Sequence, residues 1–172
     1  MSKEIINRVA NSKLETIDLE SFIVTNERII FDLKNWLKND LVLIEKDFRE
    51  KAQNHDWEQY QNKIISIVCS NDAIIPDWAF ILVSSFLKKY NIKHIIGSLD
   101  LLENILINDA INNYDFSNYK NKAVIIKGCS DKFIPKSSYS ALIEKLQSIS
   151  KSIMFGEACS AVPIYKKSKN EF

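Results

Sequence analysis

The chain has 172 residues, of which 46% are hydrophobic and 26% are charged, a composition typical of a folded globular protein. Its 23 Lys and Arg residues and 22 Asp and Glu residues leave a net charge of +1, which gives no overall attraction for nucleic acid or an anionic membrane. The amino terminus lacks an apolar signal segment, and three cysteines cannot all pair with one another. We therefore expect free thiols in a cytoplasmic protein.

The predicted elements alternate between strands and helices along the chain. Residues 1–27 form an arm whose conformation the pattern leaves open, and Arg28–Leu33 alternates well enough to predict an edge strand. Short runs rich in β-branched residues predict strands buried on both faces at 64–68, 93–97, 123–127 and 152–156. Apolar residues at helical spacing predict helices near 41–54, 77–90, 98–113 and 139–149. This alternation predicts a single α/β domain with one mostly parallel open sheet of about five strands and helices on both faces.

Two segments of the chain resemble each other at a constant offset of 59 residues. Asp56–Lys63 matches Asp115–Lys122, and each is followed by an apolar run, a Cys-Ser pair and an Ile-Pro pair. The agreement predicts an internal duplication of a βαβα unit. The predicted parts are an N-terminal arm over 1–27, repeats over roughly 41–98 and 99–157, and a C-terminal tail over 158–172.

The predicted topology brings the three cysteines to one edge of the sheet. Right-handed crossovers and the repeat favour an order in which strands 64–68 and 123–127 are central neighbours. Cys69 and Cys129 follow these two strands, and Cys159 follows the strand at 152–156. We therefore expect the three thiols to cluster at the carboxyl ends of the strands, where open α/β sheets bind ligands.

Three clustered thiols predict a metal site. Thiolates select zinc, cuprous copper or iron–sulfur clusters, and a carboxylate can complete the set of ligands. The candidate ligands are Cys69, Cys129 and Cys159, with a carboxylate in the fourth position from Asp72, Asp100, Asp131, Glu157, Glu45 or Asp47. His55 is expected to cap or pack at the opposite edge, and His94 is expected to be a hydrogen-bonded core histidine.

Two other functions are open. Free cysteine often packs as a small hydrophobe, and the protein would then be a homodimeric interaction module without chemistry of its own. The apolar run over 153–165 indicates a tail that packs across the sheet edge or into a dimer partner.

The third function is a small-molecule enzyme that uses Asp72, Asp131 or Glu157 as acid or base. A nucleotide enzyme is disfavoured, because the chain has only three glycines and no phosphate loop.

The chain resembles a bacterial family known as domain of unknown function 2480, over nearly its full length. The resemblance lies in Arg8–Ser12, Glu45–Arg49, His55–Trp57, Cys69–Pro76, Lys127–Ser130 and Met154–Ser160. The family name carries no activity, so the resemblance implies a related fold. It also implies a protein partner in iron–sulfur or sulfur metabolism, which agrees with an accessory factor that binds metal.

Overall fold

A computed structural model describes residues 14–127, 131–157 and 160–168. The strands in these ranges are β1 (Leu14–Ile17), β2 (Arg28–Asp32), β3 (Ile64–Val68), β4 (Lys93–Ile96), β5 (Ala123–Ile126), β6 (Ser152–Phe155) and β7 (Val162–Lys166). The α-helices are α1 (Glu45–Asn54), α2 (Asp77–Lys89), α3 (Leu99–Asn113) and α4 (Lys136–Gln147). None of the helices in the described part of the chain has the length and apolar character needed to cross a bilayer. The elements confirm the predicted α/β class.

The strands form two sheets rather than the single sheet expected from the sequence. One sheet has the order β1-β5-β6-β7 and the other has the order β2-β3-β4. Every pairing is parallel except that of β6 with β7. The predicted pairing of β3 with β5 is wrong, because β2 occupies that edge of β3 and β1 occupies that edge of β5. The sequence pattern had left the conformation of β1 open.

The chain divides into two compact units. Unit 1 comprises Met1–Val24 and Asn104–Phe172, and unit 2 comprises Thr25–Glu103. The four-stranded sheet belongs to unit 1 and the three-stranded sheet belongs to unit 2. The sheet of unit 2 is entirely parallel, whereas the sheet of unit 1 ends in the antiparallel strand β7. Helices α1 and α2 lie in unit 2 and α4 lies in unit 1, while α3 crosses the boundary between Glu103 and Asn104.

The core of unit 2 lies between its sheet and helices α1 and α2. Ile64, Ile65, Ser66 and Ile67 of β3 are all buried, which confirms a strand covered on both faces. The apolar side chains that pack together in this core are Phe31, Leu33, Phe48, Ala52, Trp57, Ile65, Ile67, Ala79, Val83, Leu87 and Ile92.

The core of unit 1 is built from β5, β6 and helices α3 and α4, together with the segment that follows β1. Its buried side chains are Ile17, Leu19, Phe22, Ile107, Ile111, Phe116, Tyr119, Val124, Ile126, Leu142, Leu146 and Ile153. β7 pairs antiparallel with β6, so the apolar tail packs along the edge of the sheet, the first of its two predicted positions. Pro163 is compatible with this edge strand, which needs no N–H donor on its open side.

The two units repeat the same order of local features. Asn62 and Asn121 both have positive φ, at 62° and 58°, in the turns that precede β3 and β5. Gly97 and Gly156 directly follow β4 and β6, and their N–H groups donate to the carbonyls of Ile67 and Ile126 at 3.0 and 2.9 Å. Asn tolerates left-handed backbone and Gly adopts it freely, so these residue types suit both positions. The duplication of an ancestral unit stays a prediction.

Candidate functional site

In unit 2, Asp32 is the last residue of β2 and lies at the carboxyl edge of the sheet. Its Oδ1 accepts the N–H of Lys34 at 3.0 Å and the N–H of Ser70 at 3.1 Å. The first bond caps the short 3-10 helix Leu33–Trp36, and the second holds the loop that follows β3. Burial opposes ionisation, but the hydrogen bonds from the Ser70 hydroxyl and from both N–H groups outweigh it and lower the pKa of Asp32.

Cys69 is half-buried at the end of β3 and packs against the core of unit 2. Its thiol donates to Oδ1 of Asn71 at 2.9 Å, an oxygen that also accepts the N–H of Ala73 at 3.3 Å. The amide nitrogen of Asn71 donates to the carbonyl of Asp40 in a neighbouring loop. The thiol of Cys69 is therefore part of a local hydrogen-bond network.

In unit 1, Asp18 holds the equivalent position at the end of β1. Its carboxylate accepts the N–H of Glu20 at 2.9 Å and the ammonium of Lys127 at 3.0 Å. The bond from Glu20 is the main cause of the lowered pKa of Asp18, and the bond from Lys127 adds to it. The same ion pair raises the pKa of Lys127, with a smaller contribution from Glu157. The carboxyl edge of unit 1 is therefore charged, and three acidic side chains act on Lys127: those of Asp18, Glu157 and Glu20.

The acidic residues predicted as ligands lie in exposed positions. Asp72 and Asp131 are in the loops before α2 and α4, Asp100 is near the start of α3, and Glu157 follows β6. Within residues 14–127, 131–157 and 160–168, no three His, Cys, Asp or Glu side chains lie close enough together to hold a metal ion.

The cysteines follow strands of two different sheets. Cys129 and Cys159 lie outside the described residues, three and four positions after the ends of β5 and β6. These two strands are hydrogen-bonded parallel neighbours, so their carboxyl ends share one edge. Cys69 instead follows β3, a strand of the other sheet. The predicted strand order, which placed Cys69 next to Cys129, is therefore wrong. The three-thiol site itself stays a prediction.

Both histidines are hydrogen-bonded, which was predicted for His94. His55 follows α1 as its C-cap residue, and its Nε2 lies 3.0 Å from the hydroxyl of Tyr60. It packs against Trp57 and Trp36, and burial lowers its pKa. His94 is half-buried in β4, and both of its ring nitrogens lie within hydrogen-bond distance of a partner.

The loops before α2 and α4 each expose one bulky apolar side chain. Ile74 is 94% exposed and Phe133 is 65% exposed, and the two positions are equivalent in the repeat. The following residues, Ile75 and Ile134, pack against the two cores. Sequence reasoning missed this exposed pair. The sequence signal for this pair was the presence of two successive apolar residues before a proline, because only one of two successive residues can face the core.

The aspartates of the two edges were also missed. Asp18 and Asp32 stand in the same short pattern, in which a strand is followed by Asp-Leu, two polar residues and an aromatic residue. The pattern recurs at an offset of 14 residues. In both copies the aspartate caps a 3-10 helix, Leu19–Phe22 in unit 1 and Leu33–Trp36 in unit 2.

The chain folds into an α/β protein of two units. Each unit has a capping aspartate at the end of its first strand and a Cys-Ser sequence after the strand that pairs with this first strand. The chain belongs to the DUF2480 family, described as "Protein of unknown function (DUF2480)", whose match covers residues 3–167. The resemblance inferred from the sequence is thereby confirmed. Searches of curated proteins and of solved structures gave no match.

Proposed function

We propose that the protein is a cytoplasmic accessory factor that binds a metal ion or iron–sulfur species through Cys129 and Cys159. The pairing of β5 with β6 is the observation that carries the proposal. Neighbouring strands are about 4.8 Å apart, and each cysteine follows its strand by four residues or fewer. Two thiols that begin from adjacent strand ends can converge on one ion without a change of fold.

The chemistry of unit 1 suits such a site. Thiolates bind zinc, cuprous copper or iron–sulfur clusters, and Asp131 and Glu157 offer carboxylates within two residues of the two cysteines. Two thiolates and two carboxylates bring excess negative charge, which the ion would offset. The partner of such a factor would be a protein of iron–sulfur or sulfur metabolism.

Cys69 is left out of this ligand set. It follows a strand of the other sheet, and its thiol already donates to Asn71 at 2.9 Å. Replacement by serine keeps a donor in the same place, so Cys69→Ser is a matched control for the two proposed ligands.

The test measures metal and acid-labile sulfide in protein purified without oxygen or chelator. We expect bound zinc or iron in the wild type and in Cys69→Ser, and loss of most of it in Cys129→Ser and Cys159→Ser. Equal metal content in all four proteins would contradict the proposal. A metal-free wild type after attempted reconstitution with zinc and with iron and sulfide would do the same.

A second candidate, a homodimeric interaction module, is favoured by the exposure of Ile74 and Phe133. Bulky apolar side chains at equivalent positions of both units are suited to a protein interface. The double variant Ile74→Ser, Phe133→Ser should shift a dimer towards monomer in analytical ultracentrifugation. Ile81→Ser, which changes an isoleucine that is 61% exposed on α2, is the control. A wild type that is monomeric at all concentrations would exclude the homodimer.

A further inference from the structure

A serine and a histidine form a close pair in unit 2, away from the carboxyl edge. Ser84 lies on α2 and His94 on β4, and the serine hydroxyl is 2.6 Å from Nε2 of the imidazole. The other ring nitrogen, Nδ1, is 2.8 Å from the carbonyl of Ile92. Both side chains are half-buried, so they keep access to solvent.

The bond to Ile92 sets the protonation of the ring. A carbonyl oxygen only accepts hydrogen bonds, so Nδ1 of neutral His94 carries the proton and donates it to Ile92. Nε2 is then the basic nitrogen, and the hydroxyl of Ser84 donates to it. A nucleophile next to a base that is oriented by a third group is the arrangement that activates serine in covalent catalysis.

We propose that Ser84 and His94 form an acyl-transfer site that hydrolyses a small ester or thioester with an anionic group. Ser84 is the nucleophile, His94 is the general base, and the carbonyl of Ile92 orients the imidazole. Both residues lie in unit 2, and the proposed reaction uses none of the three cysteines.

The surroundings of the pair favour an anionic substrate. His94 lines a surface concavity of about 340 Å³ with Lys88, Asn91, Ile92 and Lys93. Residues 78–99 contain three lysines and no acidic residue, so the local charge of this segment is positive. A carboxylate or phosphate on the substrate would be attracted to this concavity.

Lys88 has a further role in the proposed reaction. Ser84 lies within a helix, where backbone N–H groups are engaged in helical hydrogen bonds and cannot form an oxyanion hole. Lys88 follows Ser84 by four residues and therefore lies on the same face of α2. In the proposed reaction, its ammonium stabilises the negative oxygen of the tetrahedral intermediate.

The proposed reaction has two balanced steps. Oγ of Ser84 attacks the substrate carbonyl carbon while its proton moves to Nε2 of His94, and the departing alcohol or thiol then takes that proton. Water next attacks the acyl-serine, gives a proton to His94 and releases the acid. The proton returns to Ser84, so the pair is regenerated and no oxidant or reductant is needed.

The test uses a fluorophosphonate probe, which loses fluoride when an activated serine attacks its phosphorus. We expect one adduct on Ser84 by peptide mass spectrometry, and no adduct at that position in Ser84→Ala or His94→Gln. Ser85→Ala is the matched control, because Ser85 is exposed and donates to the carbonyl of Leu82 at 2.8 Å. Tryptophan fluorescence verifies that each variant is folded. The absence of an adduct on wild-type Ser84, or equal labelling in His94→Gln, would overturn the proposal.

A second arm tests turnover and substrate class. Hydrolysis of 4-nitrophenyl acetate should be at least tenfold slower with Ser84→Ala than with Ser85→Ala, because general base catalysis contributes about 10²–10⁴-fold. Lys88→Met should slow hydrolysis of the corresponding succinyl ester more than that of the acetyl ester. Equal rates for the two serine variants would overturn the activity, and equal effects of Lys88→Met on both esters would overturn the anionic substrate.

Discussion

Unit 1 and unit 2 place an aspartate at the same point after the first strand, yet the two carboxylates have different partners. Asp32 accepts the N–H of Ser70 from the loop after β3, whereas Asp18 accepts the ammonium of Lys127. Backbone hydrogen bonds therefore hold the loop of unit 2, and its thiol donates to Asn71. Among the described residues, the difference lies at one position, because Lys127 of unit 1 is matched by Val68 of unit 2. The assignment of thiol chemistry to unit 1 rests on the pairing of β5 with β6, the two strands that Cys129 and Cys159 follow.

The two units differ in their tryptophan content, which allows unit 2 to be followed by fluorescence. All three tryptophans of the chain, Trp36, Trp57 and Trp78, lie in unit 2. Trp36 and Trp57 pack against Phe31 and His55, and Trp78 packs against Phe48. Tryptophan fluorescence therefore reports the state of unit 2, while far-UV circular dichroism reports both units.

The largest expected effect is that of Trp57→Ala. Trp57 is 1% exposed, its ring stacks on Phe86 at 5.4 Å, and its indole N–H donates to the carbonyl of Ala52. We expect the free energy of unfolding of unit 2 to fall by about 3–5 kcal/mol, as for other large-to-small core changes. Urea unfolding followed by the remaining tryptophans measures it. Trp57→Phe, which keeps a stacked ring, should lose clearly less; an equal loss would show that packing is not the cause.

The two capping aspartates should differ in their contribution to stability. Asp32→Ala removes a cap and leaves the N–H of Ser70 without its partner, so we expect a loss of about 2 kcal/mol. Asp18→Ala removes a cap and a half-exposed ion pair with Lys127, so we expect about 1 kcal/mol. Chemical unfolding of both variants gives the comparison. A larger loss for Asp18→Ala would contradict the distinction between the edges.

The pH dependence of unit 2 should include His55. Burial disfavours the charged ring and outweighs the opposing attraction of Asp56, so the folded-state pKa lies below the unfolded value of 6.5. The native state then binds fewer protons than the unfolded state. The contribution of His55 to the free energy of unfolding is therefore fully present above about pH 6.5. It is lost as the pH decreases through 6.5 towards the lower pKa of the folded state.

Urea midpoints from tryptophan fluorescence at pH 7.5 and 5.5 test this dependence. The decrease at the lower pH should be smaller in His55→Gln, which lacks the titrating ring. An unchanged decrease in that variant would assign the effect to another group.

The smallest expected effects concern one ion pair in each unit. Arg28 binds Glu103 with two hydrogen bonds at 2.6 and 3.1 Å, and both side chains are largely buried. Glu103→Gln should cost about 1 kcal/mol. Lys122 and Glu15 are 40% and 43% exposed, so Glu15→Gln should cost less than about 0.5 kcal/mol. Thermal unfolding of both variants in low and high salt measures the two losses of stability. A larger loss for Glu15→Gln than for Glu103→Gln would show that burial does not govern the strength of these ion pairs.

Much of the fold could be predicted because burial leaves a clear pattern. β3 is a run of β-branched residues covered on both faces, and its predicted bounds, 64–68, agree with the structure. The strands β4, β5 and β6 each end one residue before the predicted position. The division into two sheets could not be predicted, because it depends on β1. That strand has only four residues, and their pattern did not distinguish a strand from a hairpin or an arm.

The site was harder to predict than the fold. The position of each cysteine after a strand followed from the repeat, but the sheet to which each strand belongs did not. The pairing of Ser84 with His94 joins residues of two elements and has no local pattern. The capping aspartates did leave a signal, because strand, Asp-Leu and an aromatic residue occur twice within 23 residues, from Leu14 to Trp36.

The most direct test of the proposed thiol site is metal protection of each cysteine in the native wild-type protein. Iodoacetamide labelling of all three thiols, with and without added zinc, can be followed by peptide mass spectrometry. We expect zinc to slow the labelling of Cys129 and Cys159 together, at equal zinc concentrations, and to leave that of Cys69 unchanged. Equal protection of all three cysteines, or of none, would contradict the assignment of thiol chemistry to unit 1.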